Sequence, residues 1–284
     1  MARWLIDMAG VKITVRAKAG PAREVAKVAL SSMRCERTNS TQGIELNLTF
    51  KDNVWELVDR SNNLRRKLDQ AGDVIYHLTD RIVFHLADKA KDVHCLHAAS
   101  VAHGANALVV PANSGAGKSS FTCWLAANGF EYLTDELILV DSQGALEGLS
   151  RPIQIKFHGL EAIDRLLVNP ELVQKGKYVT ALPVESLDGV AASEPKKLAL
   201  FLFPKYQKEA EFSFEKLTSA EAGMRLMANH VNARNLEGHG FRAMMNLIRN
   251  TPCYSLEYGG FDTLPSDFSS QLEAQLASST LSHA

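Results

Sequence analysis

The segment from Leu108 to Ser120, LVVPANSGAGKSS, constrains this chain more than any other. An apolar run predicts a strand that leads into a glycine-containing loop, and a helical pattern begins at Lys118. Strand, glycine loop, lysine, hydroxyl and helix follow one another in this order in phosphate-binding loops. Gly115 and Gly117 allow backbone N–H groups to turn towards a polyphosphate, and the start of the helix favours negative charge. The segment therefore predicts a polyphosphate site.

The loop departs from the usual pattern at one position, because Ala112 stands where the pattern begins with glycine. A glycine-rich turn without a ligand is the alternative interpretation. The flanking strand and helix favour the phosphate loop, in which Lys118 reaches the outer phosphates and Ser119 ligates Mg²⁺. The predicted nucleotide-binding residues are Asn113, Ser114, Gly115, Ala116, Gly117, Lys118, Ser119 and Ser120.

Composition excludes several classes of protein. The net charge is −1 and no extended basic patch occurs, so neither nucleic acid nor an anionic membrane is an expected partner. No apolar run approaches the roughly 20 residues of a membrane-spanning helix, and the first residues lack the apolar core of a signal peptide. The four cysteines are scattered, without metal or disulfide spacing. We therefore expect a reduced, cytoplasmic protein.

Hydrophobic periodicity predicts a mixed α+β fold in two domains, residues 1–91 and 92–284. The first is expected to be a small α+β recognition domain, and the lysine-rich link 88–92 marks its end. Alternating strands and helices after it favour a layered α/β core. The predicted strands are 11–15, 43–50, 95–101, 105–111, 130–133, 137–141, 152–157, 198–203 and 254–258; the predicted helices begin near 21 and 61 and span 118–128, 159–168, 218–234, 239–250 and 265–276, with 174–194 as a loop.

Two adjacent acids follow the predicted phosphate-loop helix. Asp135 lies 17 positions after Lys118, at the expected end of a strand. Because neighbouring strand side chains point to opposite faces, Asp135 and Glu136 are expected to differ in role. Asp135 is predicted to hold the metal or the acceptor hydroxyl, and Glu136 to support it. A surface acidic pair in a loop is the alternative.

Three further side chains are candidates for the site. His97 lies on the strand before the one that feeds the loop, where a satisfied core histidine is the more common case. Arg151 and Lys156 are the first and last residues of the later segment RPIQIK and could hold the acceptor or an anionic neighbour. An exposed basic strand face is the competing interpretation for both.

Several of these segments together resemble the HPr kinase/phosphorylase superfamily. The similarity is carried by His97 in LHAASV, by the loop ANSGAGKSS and by the acid pair in LTDELILVD. The later segments RPIQIK and FPKY are closest to HPr-kinase-related proteins of peptide-modification clusters. The resemblance implies a phosphoenolpyruvate-carboxykinase-like P-loop kinase core, ATP with Mg²⁺, and transfer of phosphate to a serine hydroxyl.

The resemblance also implies a role for each matching residue. Lys118 would bind the β- and γ-phosphates and Ser119 the metal, while Asp135 would be the base or a metal ligand. Glu136 would replace the second aspartate of the family, and His97 would assist near the transferring phosphoryl group. The glycine-rich signature that follows the acid pair in the bifunctional enzyme is not found here, so phosphorylase activity is not expected. The N-terminal segment does not match that of the bifunctional enzyme either, so HPr is not assumed to be the acceptor.

The sequence therefore predicts an ATP- and Mg²⁺-dependent kinase whose acceptor is a serine of a small protein or peptide. Two alternatives stay open. One is a small-molecule alcohol kinase on the same fold, and the other is a non-catalytic ATP-binding scaffold for a biosynthetic partner. A homo-oligomer is possible by resemblance, since related enzymes form rings.

Overall fold

The computed structural model is described here for residues 1–113 and 115–278, and the side chain of His158 lies outside this description. Within these residues the chain forms a mixed α+β fold with three β-sheets and seven α-helices. Ser114, one of the predicted nucleotide-binding residues, lies outside the described residues. No helix of the described part is long and apolar enough to cross a membrane.

A six-stranded sheet with two helices on one face occupies the first ninety residues. Its strands follow the order β3-β1-β2-β4-β5-β6, and only β2 and β4 pair in parallel. Alternating apolar residues of the sheet, such as Ile13 and Leu46, pack against Val25 and Leu78 of the helices. The elements are β1 (Ala2–Met8), β2 (Val11–Ala17), α1 (Pro21–Ala29), β3 (Glu36–Arg37), β4 (Ile44–Lys51), β5 (Val54–Asp59), β6 (Leu64–Leu68) and α2 (Ala71–Lys89).

The helix predicted from about Ser61 is wrong in its first ten residues. The Asp59 carboxylate accepts from the Ser61 backbone N–H at 3.1 Å, and Asn63 adopts a left-handed conformation with φ 50°. The chain therefore turns back and pairs with β5 as the edge strand β6 before α2 begins at Ala71. Cross-strand hydrogen bonding outweighs the local helical pattern here.

The remaining chain contains eleven strands and five helices among the described residues. These are β7 (His94–His103), β8 (Asn106–Pro111), α3 (Lys118–Ala127), β9 (Glu131–Thr134), β10 (Leu137–Val140), β11 (Ala145–Gly148), β12 (Ile153–Lys156), α4 (Phe157–Ile163), β13 (Gln174–Lys175), β14 (Val179–Leu182), β15 (Lys196–Tyr206), β16 (Ser213–Lys216), α5 (Ser219–Met227), α6 (Phe241–Asn250), β17 (Cys253–Tyr258) and α7 (Phe268–Ser278).

Eight of these strands form one sheet whose centre is fully buried. The order is β11-β10-β7-β8-β15-β17-β16, β9 pairs with β7, and β11 also pairs with β15. Strands β8 and β15 run parallel, and their continuous apolar sequences are buried on both sides between helices. Strands β12, β14 and β13 form a separate small sheet in that order.

Other predicted boundaries change where distant segments pair. The predicted loop 174–194 contains β13 and β14, which complete the small sheet with β12. The predicted helix 218–234 ends at Met227, because the following residues lie along β7. There the Asn229 carbonyl accepts from His97 N–H at 2.8 Å, and Val231 N–H donates to the Cys95 carbonyl at 3.0 Å.

The hydrophobic core of the first ninety residues continues into the second part of the chain. Leu137, Leu139, Leu149 and Ala181 belong to the same buried cluster as the helices α1 and α2. The division into domains at residue 91 stays a prediction.

Candidate active site

The predicted phosphate loop connects strand β8 to helix α3, and α3 begins at Lys118 as predicted. Gly115 and Gly117 have φ values of 90° and 86°, a left-handed region that side-chain-bearing residues rarely occupy. The Ala116 N–H donates to the Asn113 carbonyl at 3.1 Å, which closes a tight turn. The turn leaves the first amides of α3 at the mouth of the loop, where they can receive an anion.

Two tyrosines from the ends of strands β15 and β17 back this loop. A Cβ atom added at Gly117 would lie 2.9 Å from the Tyr258 Oη and 3.0 Å from the Tyr206 Cβ. The Tyr206 N–H also donates to the Ala116 carbonyl at 3.2 Å. Glycine is therefore required at 117 both by the backbone conformation and by the space available.

The two loop glycines make a matched pair for testing this geometry. Gly117→Ala is expected to destabilise the protein more than Gly115→Ala, because a Cβ at Gly115 meets no atom within 4 Å. Both variants carry the left-handed strain of about 1–2 kcal/mol, and Gly117→Ala adds overpacking against the tyrosines, typically about 1–3 kcal/mol. Urea unfolding of both variants measures the difference. Equal losses would show that the tyrosines do not confine the loop.

Lys118 is buried at the start of α3, and its Nζ lies 2.8 Å from His97 Nε2. Burial lowers the Lys118 pKa to about 8, partly offset by the carboxylates of Glu136 and Asp135, which raise it. The contact joins two predicted site residues, from β7 and from the loop. The lysine is held within the site rather than extended into solvent.

Asp135 is fully buried in the bend between β9 and β10. Its Oδ1 accepts from Arg151 Nε at 2.8 Å, and its Oδ2 accepts from the Gln154 backbone N–H at 3.0 Å. The Ser119 Oγ lies 3.4 Å from the same Oδ2. Ser119, the residue after the loop lysine, therefore lies with its hydroxyl against Asp135, the first residue of the acid pair.

Glu136 is the more exposed acid of the pair, with 30% of its side chain accessible. Its Oε1 lies 3.3 Å from His97 Nε2, and its Oε2 accepts from Arg151 Nη2 at 3.0 Å. Burial alone would raise the Glu136 pKa, but the hydrogen bond with His97 and the charges of Arg151 and Lys118 lower it to about 2. Glu136 is therefore ionised at neutral pH.

The expectation that the two acids point to opposite faces is wrong. Arg151 Nη2 contacts both carboxylates, at 3.4 Å from Asp135 Oδ2 and 3.0 Å from Glu136 Oε2. The pair lies in a bend rather than within a strand, and Thr134 Oγ1 shapes that bend by accepting from the Glu136 and Leu137 backbone N–H groups. Strand alternation therefore does not apply to them.

Arg151 is buried, so the interpretation that it lies on an exposed basic strand face is wrong. Burial opposes its charge, but Asp135 and Glu136 outweigh that effect and raise the pKa of the guanidinium. Lys156 ends strand β12 with an exposed side chain, and its contact with an acceptor stays a prediction. Among the predicted residues, the structure brings together His97, Lys118, Ser119, Asp135, Glu136 and Arg151.

Two supporting residues of the site were missed at the level of sequence. The Tyr132 hydroxyl donates to the Arg151 carbonyl at 2.7 Å and lies 3.4 Å from Asp135 Oδ1. Gln154 contributes its backbone N–H to Asp135. Tyr132 lies on β9 directly before the acid pair, so strand periodicity was the available signal for it. Gln154 acts through its backbone N–H, for which the sequence contains no signal.

The donor set suits a magnesium ion better than a transition metal. The described residues contain no group of three or more His, Cys, Asp or Glu side chains placed to hold a metal. The Ser119 hydroxyl and the Asp135 carboxylate instead offer two neighbouring oxygens. Mg²⁺ binds oxygen ligands, retains several waters and takes its other ligands from phosphates, so two protein oxygens are sufficient.

Comparisons with known proteins add little to this geometry. No protein-family model matches the chain, and no curated protein matches its sequence. A solved structure that aligns with it is the HPr(Ser) kinase/phosphatase from Coxiella burnetii, at 10% identity, over 66% of this chain and 92% of that one, with a TM-score of 0.28. A likeness this low shows neither the fold nor the function of this chain.

Proposed function

We propose that this protein is an ATP- and Mg²⁺-dependent kinase that transfers the γ-phosphate to a hydroxyl, a serine of a small protein or peptide. The proposal includes a phosphoenolpyruvate-carboxykinase-like P-loop core for residues 92–284. The observation that carries it is the convergence of Lys118, Ser119 and the two carboxylates at the start of α3. A phosphate-loop turn alone binds anions, whereas a kinase also needs acids beside it.

Nucleotide binding is assigned to the loop and the first turn of α3. The amides from Gly115 to Ser119 and the positive end of the helix dipole would hold the phosphates. The Lys118 ammonium would leave His97 and turn to the β- and γ-phosphates, where a full positive charge is more favourable than in the buried ligand-free site. Nucleotide binding is thereby expected to favour the charged form of Lys118.

Ser119 and Asp135 would hold Mg²⁺, which when bound supplies charge neutralisation at the phosphates. Asp135 suits this position because its carboxylate is fully buried and fixed by Arg151 and the Gln154 N–H. Because its oxygens already accept these hydrogen bonds, the Asp135 carboxylate is poorly placed to take the proton of the substrate hydroxyl. Of the two roles predicted for Asp135, the proposal keeps the one of holding the metal.

Glu136 takes the acceptor hydroxyl, because it is the carboxylate of the pair with accessible surface. The acceptor oxygen forms a bond to the γ-phosphorus while the bond from that phosphorus to the β,γ-bridging oxygen breaks. The electron pair leaves with ADP, and the hydroxyl proton passes to Glu136. A carboxylate with a pKa near 2 is a weak base, so its main contribution is to orient the hydroxyl and to accept the proton late, as a loose transition state permits.

His97 and Arg151 position the reacting groups. His97 lies between Lys118 and Glu136, at 2.8 Å and 3.3 Å. When Lys118 moves to the phosphates, the His97 imidazole keeps its contact with Glu136 and can also contact the transferring phosphoryl group. Arg151 holds the two carboxylates at fixed separation, which replaces the acceptor contact first assigned to it.

Labelled ATP tests the proposal directly. Purified protein, Mg²⁺ and γ-labelled ATP are incubated with cell extract, and the labelled product is separated and identified by mass. Label is expected on serine of a small polypeptide, and Glu136→Gln is expected to reduce transfer by about 10²–10⁴-fold while nucleotide still binds. The nucleotide affinity of that variant is measured by titration with a fluorescent ATP analogue.

Two results would redirect the assignment. Label that reaches only a small molecule would identify an alcohol kinase on the same site. Nucleotide binding without transfer to any extract component, together with equal behaviour of Glu136→Gln and the unmodified protein, would contradict the kinase and favour an ATP-binding scaffold.

A further inference from the structure

The carboxyl ends of three parallel strands meet at the edge of the large sheet where the predicted phosphate loop begins. Strand β15 runs parallel to β8 on one side and to β17 on the other. Their last residues, Pro111, Tyr206 and Tyr258, therefore lie along one edge of the sheet. In open α/β sheets, ligands bind at the edge where parallel strands have their carboxyl ends.

The acid pair and the two tyrosines lie on opposite sides of strand β8. On one side β8 pairs with β7, and β7 pairs with β9 and β10, the strands that flank Asp135 and Glu136. On the other side follow β15 and β17, which end in the tyrosines. A triphosphate whose γ-phosphate lies beside Lys118 and the acids is therefore expected to direct its nucleoside across the loop, towards the end of β15.

Both tyrosines lie on the face of the sheet that helix α3 covers. Leu200 and Leu202 of β15 belong to the same buried cluster as Phe121 of α3. Because side chains alternate along a strand, Tyr206 lies on the same face as these leucines. Tyr258 is itself a member of that cluster. The end of β15 thus places an aromatic side chain beside the start of α3, where the phosphates are proposed to bind.

Tyr206 has an accessible side chain at a fixed position next to the loop. The residue is 45% exposed. Its N–H donates to the Ala116 carbonyl at 3.2 Å, and its Cβ would lie 3.0 Å from a Cβ added at Gly117. Its ring packs against the Tyr258 ring in a T-shaped arrangement, with the centroids 5.8 Å apart. An aromatic ring that is held in place and still accessible is suited to stack on a nucleobase.

The hydroxyl of Tyr258 lies at the loop without a partner. Its residue is buried, at 2% exposure, and the Oη would lie 2.9 Å from a Cβ added at Gly117. Within residues 1–113 and 115–278 this hydroxyl makes no hydrogen bond. Polar groups of buried side chains usually have a hydrogen-bond partner. A phosphate oxygen bound at the loop would provide the acceptor.

We propose that Tyr206 and Tyr258 form a nucleotide subsite beside the loop, in which the Tyr206 ring stacks on the base and the Tyr258 hydroxyl donates to a phosphate oxygen. Stacking uses the face of the base, which all nucleobases have, so Tyr206 contributes affinity for the nucleoside rather than a choice among bases. This inference rests on the proposed function and adds to it the residues that hold the nucleoside.

Two ligands that share the phosphates test the stacking. The protein is titrated calorimetrically with ATP and with inorganic tripolyphosphate, each with Mg²⁺. Tyr206→Ala is expected to weaken ATP binding about 5–150-fold, the range for loss of one base–aromatic stack. Tripolyphosphate binding should be unchanged, because alanine keeps the Cβ next to Gly117. Tyr206→Phe retains the ring, so this matched control should bind ATP as the unmodified protein does.

Tyr258→Phe tests the phosphate contact. It is expected to weaken ATP and tripolyphosphate alike, by about tenfold or more, since it removes a hydrogen bond to a charged oxygen. The ring, and with it the packing against Tyr206, is retained. Thermal midpoints of all three variants exclude unfolding as the cause of any loss.

The outcomes distinguish this subsite from the function beneath it. ATP affinity that is unchanged in Tyr206→Ala, or that falls together with tripolyphosphate affinity, overturns the stacking. Unchanged binding of both ligands by Tyr258→Phe overturns the hydroxyl contact. In either case, transfer of label that depends on Lys118 would leave the kinase standing. Failure of the unmodified protein to bind either ligand overturns the proposed function itself, and the subsite with it.

Discussion

Replacing Lys118 by methionine is expected to lower kcat/KM for phosphoryl transfer by about 10²–10³-fold or more. In the proposed reaction the ammonium would neutralise charge on the outer phosphates, and preorganised charge in a buried site contributes several kcal/mol to the transition state. Steady-state kinetics with γ-labelled ATP measures the loss. Lys67→Met, an exposed lysine on β6, is the matched control and should retain full activity.

The same variant is expected to be more stable than the unmodified protein without ligand. Burial lowers the Lys118 pKa from 10.5 to about 8, so carrying the charge into the folded site costs up to about 3 kcal/mol below pH 8. This cost falls as pH rises from 8 to 10.5, because the lysine is then neutral in the folded state and progressively so in the unfolded state. Urea unfolding should therefore show the gain at pH 7 and a smaller gain at pH 10.

A stability loss in Lys118→Met at pH 7 would contradict this account. It would mean that the contacts of the ammonium with His97 and the carboxylates exceed the cost of its burial. Inactivity combined with increased stability would instead identify Lys118 as a residue kept for function at the expense of folding.

Arg151→Met is expected to destabilise the protein by about 3–5 kcal/mol at neutral pH. The guanidinium is buried between Asp135 and Glu136, and its removal leaves two carboxylates without their cation. Arg151 helps to lower the Glu136 pKa from 4.5 to about 2, so the stability linked to this carboxylate is fully present above pH 4.5 and is lost as the pH falls towards 2. The loss in Arg151→Met is therefore expected to be largest at pH 7 and smaller near pH 3. Urea unfolding at both pH values measures the difference.

An exposed arginine supplies the control for this variant. Arg234 pairs with Asp88 at 2.7 Å but is 72% accessible, so Arg234→Met should cost no more than about 1 kcal/mol. A similar small loss in Arg151→Met, or a loss independent of pH, would show that the acid pair does not depend on this cation.

Local sequence predicted the parts of the site that lie close together along the chain. The loop, the start of α3 at Lys118 and the buried strand β15 follow from the loop glycines, the helical pattern after Gly117 and continuous apolarity. The helix predicted over 218–234 was too long, because hydrogen bonds between β7 and residues 229–231 end it. Periodicity within a segment contains no information about such pairing.

The difference between the two acids was also only partly predictable from local sequence. Adjacency suggested that Asp135 and Glu136 differ, and strand alternation suggested opposite faces. The difference in exposure is real, but it arises from a bend shaped by Thr134 and from the position of Arg151, 16 residues away. The sequence RPIQIK does not show whether the side chain of Arg151 is buried or exposed.

By itself, the sequence determined the glycine loop before Lys118, the helix that begins at it and the presence of two acids downstream, because these depend on backbone conformation and hydrogen bonds within a few residues. Tertiary structure alone decided which acid meets Ser119, which one keeps accessible surface, and that the buried Arg151 contacts both. Those relations depend on how distant segments pack together, and the electrostatics of the site follow from that packing.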